Sequence, residues 1–272
     1  MDLSIIIPTY NGKEHLAESL KKISEYPYEI IIVDNHSDDG TSDLVKTYPH
    51  VIYLEMGKNY GYSKACNAGA KRAKGTHLLF LNNDCAVEQN AIEAMIRFLE
   101  THGEFIATQP IVFDCTKEIE NIGQQVDIFK LKGEPVKDRA YFKKPINTDN
   151  DLFDNQYFYS LVGTCLMIRR DLFVKLEMFD ESFHSYHEDI DFFMRATQKG
   201  YRYFPTLDAA CIHEHMGTSS KMGGYKQVQD FKNLIRIIIK NYPRTFILRH
   251  FSSLFVERLR NLSGVVKKVI SG

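Results

Sequence analysis

The chain has 272 residues, 44% of them hydrophobic and 12% aromatic, which supplies a sizeable core and excludes a disordered chain. Its five cysteines form no CxxC pair and lie mostly in apolar runs, so they predict free thiols in a reducing compartment and no disulfide framework. The net charge of −1 conceals an asymmetry: residues 231–272 carry nine Lys/Arg and one acid, Glu257, for a local charge of +8 against −9 over residues 1–230. A basic, aliphatic tail predicts contact with an anionic membrane surface; no nucleic-acid motif accompanies the charge.

The start, MDLSIIIPTYNG, has an acid at position 2 and an apolar run too short for a signal peptide. No run reaches the roughly 18 apolar residues of a membrane-spanning helix. A cytoplasmic protein is expected.

In chain order, LSIII (residues 3–7) and EIIIVD (residues 29–34) are continuous apolar runs, the mark of strands buried on both faces of a parallel sheet. Between them NGKEHLAESLKKI sets Leu16, Leu20 and Ile23 on one helical face. A helix around 41–48, the strand VIYLE, a helix over 63–73, the strand HLLFLN and a helix over about 89–100 continue the alternation, which predicts right-handed crossovers and a doubly wound parallel sheet. Residues 114–155 break the pattern. They are highly charged, contain Pro135 and Pro145, and show only a weak hairpin signal in IENIGQQVDIF, which predicts a variable insertion over the active face and is uninformative about chemistry. Order returns with a strand in YSLVGTCLMIRRDLF, a helix starting near Glu188 and two short strands in YRYFPTLDAACIHEHMG. From Tyr225 onward VQDFKNLIRIIIK is helical by pattern, Pro243 breaks it, and TFILRHFSSLFVERLR resumes it. The expected division is a domain over 1–224 and basic, amphipathic helices over 225–272.

Ligands of an open parallel sheet bind beyond the carboxyl ends of its strands, so polar residues there mark the site. Strand one ends in PTYN, strand two in VDNHSDDGT and strand four in NND. Asp39 and Thr41 suit helix capping, whereas Asp34 and Asp84 end apolar strands without being placed as caps. Acids on such an edge can hold a divalent metal through oxygen, which suits a diphosphate whose leaving charge must be neutralised. The absence of GxxxxGKS/T, and of GxGxxG after strand one, excludes a P-loop and a dinucleotide fingerprint. HEDID puts Asp189 in the first turn of a helix, where the dipole favours its ionised form, and puts Asp191 four residues before Arg195 in the order of a surface ion pair. A carboxylate at Asp189 can take a proton from an attacking hydroxyl, although an acid there also simply answers the dipole. IHEH sets His213 and His215 two residues apart on a strand, and one of them is expected at the site.

Six blocks, SIIIPTYNG, IIIVDNHSDDGT, NYGYSKACNAGAKRAKGTHLLFLNNDC, VGTCLMIRRDLF, FDESFHSYHEDIDFFMRATQKGYR and CIHEHMGTS, resemble in order and spacing the signatures of glycosyltransferase family 2. Within it they look most like the bacterial rhamnosyltransferase-like enzymes of surface polysaccharide assembly. The resemblance spans residues 3–240 apart from 114–155. It implies the GT-A fold, a Rossmann-like, doubly wound and mostly parallel sheet, here with a C-terminal helical extension. It also implies inversion at the anomeric carbon, a divalent metal (Mn2+ or Mg2+) and a nucleotide-sugar donor, dTDP-rhamnose or a UDP-sugar. Thr9, Tyr10, Asp34 and Asn35 match the positions that hold base and ribose, and Asn67 matches a donor-side asparagine. NND matches the family's DxD, with Asp84 as metal ligand, Asn82 in place of the first acid and Asn83 beside it on the donor side. Asp189 matches the general base; His213, with His215 as the alternative, matches a metal- or diphosphate-binding histidine. The implied acceptor is a glycan or lipid-linked hydroxyl at the inner face of the cell membrane, with the tail as membrane contact or else as a homodimer interface. The competing expectation is a catalytically silent nucleotide-sugar-binding subunit, against which Asp84 and Asp189 both stand.

Overall fold

A computed structural model describes residues 2–143, 152–214 and 225–271. The first half is a β/α series: β1 (Leu3–Thr9), α1 (Lys13–Ile23), β2 (Glu29–Asp34), α2 (Thr41–Lys46), β3 (Ile52–Glu55), α3 (Tyr62–Arg72) and β4 (His77–Leu81). It continues through β5 (Cys85–Val87), α4 (Gln89–Thr101), β6 (Ala107–Thr108) and β7 (Ile111–Asp114). The main sheet has the order β3-β2-β1-β4-β12-β6, where β12 is Cys165–Arg169. Its first four strands are parallel, and β12 runs antiparallel to β4 and β6. Strand order reverses between β1 and β4, and an open sheet leaves a crevice at such a reversal.

Both faces of the sheet are covered, which is why its strands read as unbroken apolar runs. Leu3, Ile5 and Ile7 pack with Leu16 and Leu20 of α1 and with Met95 and Leu99 of α4. Ile6 points the other way, into a cluster with Val33, Phe80, Ala65 of α3 and Phe192 of α6 (Glu188–Gln198). Each such side chain, fully buried, contributes on the order of 1.5–3 kcal/mol.

The charged segment after β7 is built rather than loose. It forms β8 (Ile119–Asn121), β9 (Gln124–Asp127) and β10 (Lys132–Pro135), and β9 lies between β10 and β11 (Tyr157–Ser160) in a small antiparallel sheet. After β12 come α5 (Arg170–Lys175), α6, and β13 (Ala210–His213) in a third sheet of order β5-β13-β7-β8. Where two short strands are predicted near residues 201–213, there is β13 and an isolated parallel bridge between Phe105 and Arg202.

The tail forms α7 (Tyr225–Asn241), α8 (Arg244–Arg249) and α9 (Phe251–Ser271), broken at Pro243 as the pattern predicts. Leu234, Ile237, Tyr242 and Leu254 are buried in a cluster with Ile128, Phe158, Ile190 and Met194, so α7 and one side of α9 pack on the body. Asp191 is not in a surface pair. It is fully buried and accepts from Arg195 Nε (2.9 Å), Lys240 Nζ (3.2 Å) and Asn241 Nδ2 (2.8 Å), which ties α6 to the end of α7.

Candidate active site

A cavity of about 1060 Å3 opens at the carboxyl edge of β1 and β4, between that edge and α6, α7 and α9. On one side Thr9, Tyr10, Asn35, Asn59 and Gly61 line it. Asn83 Nδ2 donates to Thr9 Oγ1 at 3.2 Å, and Asn82 N donates to the Thr164 carbonyl at 3.0 Å, so the NND turn is stitched to β1 and to the start of β12. Asn35 accepts from Tyr60 N through Oδ1 (3.1 Å) and holds the 59–61 loop in place. Gly61 has φ +87°, and a Cβ there would come within 2.0 Å of the His184 carbonyl, so only glycine permits this approach.

Asp34 and Asn67 are not among the residues that line the cavity. Asp34 accepts from Ser37 N and Oγ (3.0 and 2.5 Å) and from Tyr53 OH (2.6 Å), which organises the loop after β2. Asn67 is buried in α3. It donates to the Phe179 carbonyl (2.7 Å), accepts from Phe179 N (3.2 Å) and reaches Glu181 (3.2 Å), so its amide anchors the chain after α5 and meets no open space.

Beyond β4, Asp84 and His213 come together, because β5 and β13 pair with His213 opposite Cys85. His213 Nε2 lies 3.3 Å from Asp84 Oδ1, and its Nδ1 lies 3.1 Å from Glu120 Oε2. Burial disfavours the imidazolium, but hydrogen bonds and charge from Asp84 and Glu120 outweigh it and push the His213 pKa up to about 10. Burial likewise opposes ionisation of Asp84, and the His213 hydrogen bond and charge win, holding its carboxyl below the usual range. Carboxylate and imidazole on one cavity wall, with a second carboxylate on the far imidazole nitrogen, form a donor set that fits a divalent cation once His213 gives up its proton, since the imidazolium has no free lone pair. His215 lies outside the described residues.

Across the cavity, α6 presents its N-terminus. Tyr186 and His187 before it have φ of 71° and 68°, and Asn233 of α7 holds that turn by donating to the carbonyls of Ser185 and Tyr186 at 2.8 Å each. Asp189 Oδ2 accepts from Gly163 N (3.3 Å) and Gln124 Nε2 (3.4 Å), and Oδ1 accepts from Ile190 N (2.8 Å). Burial raises the Asp189 pKa despite these donors. Neighbouring Glu188 is pushed up to about 8, by burial first and by the Asp189 charge second, and its buried Oε2 has no hydrogen-bond partner. The two carboxyls are adjacent and buried, so ionisation of one opposes ionisation of the other.

Gln124, Lys130, Leu131, Lys132 and Gly133 of the charged segment also line the cavity. So do Glu257, Arg260 and Asn261 of α9, whose Arg258 Nη2 donates to the carbonyls of Phe129 (3.2 Å) and Lys130 (2.7 Å). Gln124, Glu120, Glu188, Gly163 and Asn233 are the residues that sequence reasoning missed. Glu188 had a signal, as the first acid of HEDID, and Gly163 stands in the VGTCLMIRRDLF block.

The family described as Glycosyl transferase family 2 matches residues 4–176. YwdF of Bacillus subtilis (strain 168), an uncharacterized glycosyltransferase, is 31% identical over 207 residues, covering 74% of this chain and 70% of its own length. TarS of Staphylococcus aureus, a poly(ribitol-phosphate) beta-N-acetylglucosaminyltransferase, is 27% identical over 111 residues, 38% of this chain and 19% of its own. The crystal structure of TarS 1–349 with UDP-GlcNAc aligns with a TM-score of 0.61 at 20% identity, over 93% of this chain and 73% of that one. The mannosyltransferase PcManGT of Pyrobaculum calidifontis, in complex with GDP-Man and Mn2+, aligns with a TM-score of 0.61 at 17% identity, over 99% and 74%. At these identities the structures establish the fold, and it is GT-A-like.

Proposed function

Because the chain belongs to glycosyl transferase family 2, we propose that it is an inverting, metal-dependent transferase acting in cell-surface polysaccharide synthesis. It moves a sugar from a nucleoside-diphosphate donor to a hydroxyl of a glycan or lipid-linked acceptor. The observation that carries this reading is that Asp84, His213 and Asp189 line one cavity.

In this reading Thr9, Tyr10, Asn35, Asn82 and Asn83 position the donor, and Asp34 does so indirectly by shaping the loop after β2. Asn67 anchors the Phe179 backbone away from the donor. Asp84 and His213 would hold Mn2+ or Mg2+, with Glu120 fixing the imidazole ring. When bound, such a cation neutralises charge on the departing diphosphate. Asp189 takes the acceptor hydroxyl's proton; Gly163 N and Gln124 hold the Oδ2 that faces it. Glu188 keeps its proton at neutral pH, so that a single negative charge stands beside the incoming oxygen.

The signature blocks put dTDP-rhamnose first among donors. UDP-GlcNAc and GDP-mannose follow, as the donors in the TarS and PcManGT complexes. Release of nucleoside diphosphate that requires acceptor and Mn2+ or Mg2+ tests the assignment. Full turnover in excess EDTA, or in Asp84→Ala, would remove the metal from it.

The same reading places the enzyme on the inner face of the cell membrane through its C-terminal helices. No helix among the described residues is long and apolar enough to cross a membrane. Yet Leu248, Phe251, Phe255 and Leu259 are 49–78% exposed on the outer side of α8 and α9, near Arg244 and Arg249, while the inner side of α9 walls the cavity. Each basic side chain near an anionic leaflet adds about 1 kcal/mol. The protein is expected to sediment with anionic vesicles at low salt and the Phe251→Ser/Phe255→Ser variant to stay in solution; equal sedimentation of both would leave this face to a homodimer.

A further inference from the structure

Behind the ladder that joins Asp84 to His213 lies a group of side chains outside the cavity. Cys85 on β5, Cys165 on β12 and Cys211 on β13 come from three strands of two sheets, and their Sγ atoms all lie within 4.8 Å of one another. They are 1%, 0% and 3% exposed and sit in the apolar cluster that includes Leu81, Val87 and Ile92. None lines the cavity. We propose that these three thiols form a binding site for one soft, thiophilic cation of low coordination number, of which cuprous copper is the type.

The dimensions admit a metal and disfavour a disulfide between Cys85 and Cys211. Metal–sulfur bonds of about 2.3 Å place three sulfurs about 4.0 Å apart around a trigonal ion, so the triad needs to contract by less than about 1 Å. A disulfide needs sulfurs about 2.05 Å apart and Cα atoms within about 7 Å. Cys85 and Cys211 are diagonal across an antiparallel pair, Cys85 opposite His213 and Cys211 opposite Val87, a relation that spaces residues by about 7–8 Å.

The donor set then selects the ion. Three sulfurs exclude hard, oxygen-seeking cations. A four-coordinate ion lacks its last ligand, since among the described residues no His, Asp or Glu joins the three sulfurs at that radius. Each sulfur that ligates the ion does so as a thiolate and gives its proton to solvent.

The test uses the Cys115→Ser protein, which removes the exposed thiol, titrated anaerobically with cuprous ion against a competing chelator. Binding of one equivalent with an ultraviolet sulfur-to-copper charge-transfer band is expected, and Cys165→Ala in the same background should weaken it by about tenfold to a hundredfold. X-ray absorption on the loaded parent needs no further variant and should show three sulfur neighbours. No bound equivalent in the Cys115→Ser protein, unchanged affinity in Cys165→Ala, or nitrogen and oxygen neighbours in place of sulfur would overturn the proposal.

Discussion

Along the donor half of the cavity the residues stand at the ends of paired strands, whereas along the other half they are tied together from elements distant in the chain. Thr9 and Asp34 sit opposite each other in the last rung of β1 and β2, and Asn82 follows β4 directly. Asp189, by contrast, depends on Gln124 from β9 and on the Gly163 amide, and the turn before it depends on Asn233 from α7. A ladder loses little when one side chain changes, because backbone groups carry it. A network of side chains loses its geometry with any member. Substitutions on the α6 side should therefore alter turnover and acceptor use with donor affinity intact.

The most severe test of that contrast is Asp189→Asn, which should lower kcat by about 10²–10⁴-fold with donor affinity within about twofold, read by turnover and calorimetry. Near-normal turnover would remove the base from Asp189. Truncation after Asn241 comes next. It deletes the wall made by Glu257, Arg260 and Asn261 and the Arg258 support of the β9–β10 turn, so the acceptor KM should rise about tenfold, equivalent to about 1.4 kcal/mol, while donor binding holds. An unchanged acceptor KM would take α9 out of the acceptor half.

Asn67→Ala probes the boundary from the other direction. Leaving the buried Phe179 backbone groups unpaired should cost about 1–3 kcal/mol in denaturant unfolding with the donor KM unchanged. A raised donor KM at full stability would return Asn67 to the donor site. The smallest effect is expected from Glu188→Gln. The folded pKa of Glu188, about 8, exceeds its ordinary 4.5, so between these values the folded state holds a proton that the unfolded chain has lost, and stability falls as pH rises through that window. The variant should melt about 2–4 °C higher than the parent at pH 8 for each kcal/mol regained, and level with it at pH 4.5. Equal melting at both pH values would show that Glu188 is ionised in the folded protein. Turnover itself should decline with falling pH through a pKa above the usual Asp value, because the raised Asp189 carboxyl must be ionised to accept a proton.

The donor half was legible because its polar residues abut apolar runs, so strand and strand end are read together. NND after HLLFL needed only local pattern, whereas His213 came from its match to a family block. The residue type at Asn67 was legible but its direction was not: nothing in KACNAG says that its amide meets Phe179. Asp191 and Arg195 were read as a pair from their spacing, yet their burial follows from Ile190, Phe192, Phe193, Met194 and Ala196, which make α6 apolar on every side. Gln124 and Asn233 left no signal, since each works through partners distant in the chain.

Gly61 bears on how such enzymes can be recombined. Its missing Cβ lets the Tyr62 amide donate to the His184 carbonyl at 2.7 Å, which locks the 59–62 loop of the donor half against the 184–187 turn of the other. A chimera that exchanges one of these loops with a relative and keeps the other splits a fitted pair. The two segments are a single heritable block, and a crossover that preserves activity must carry both.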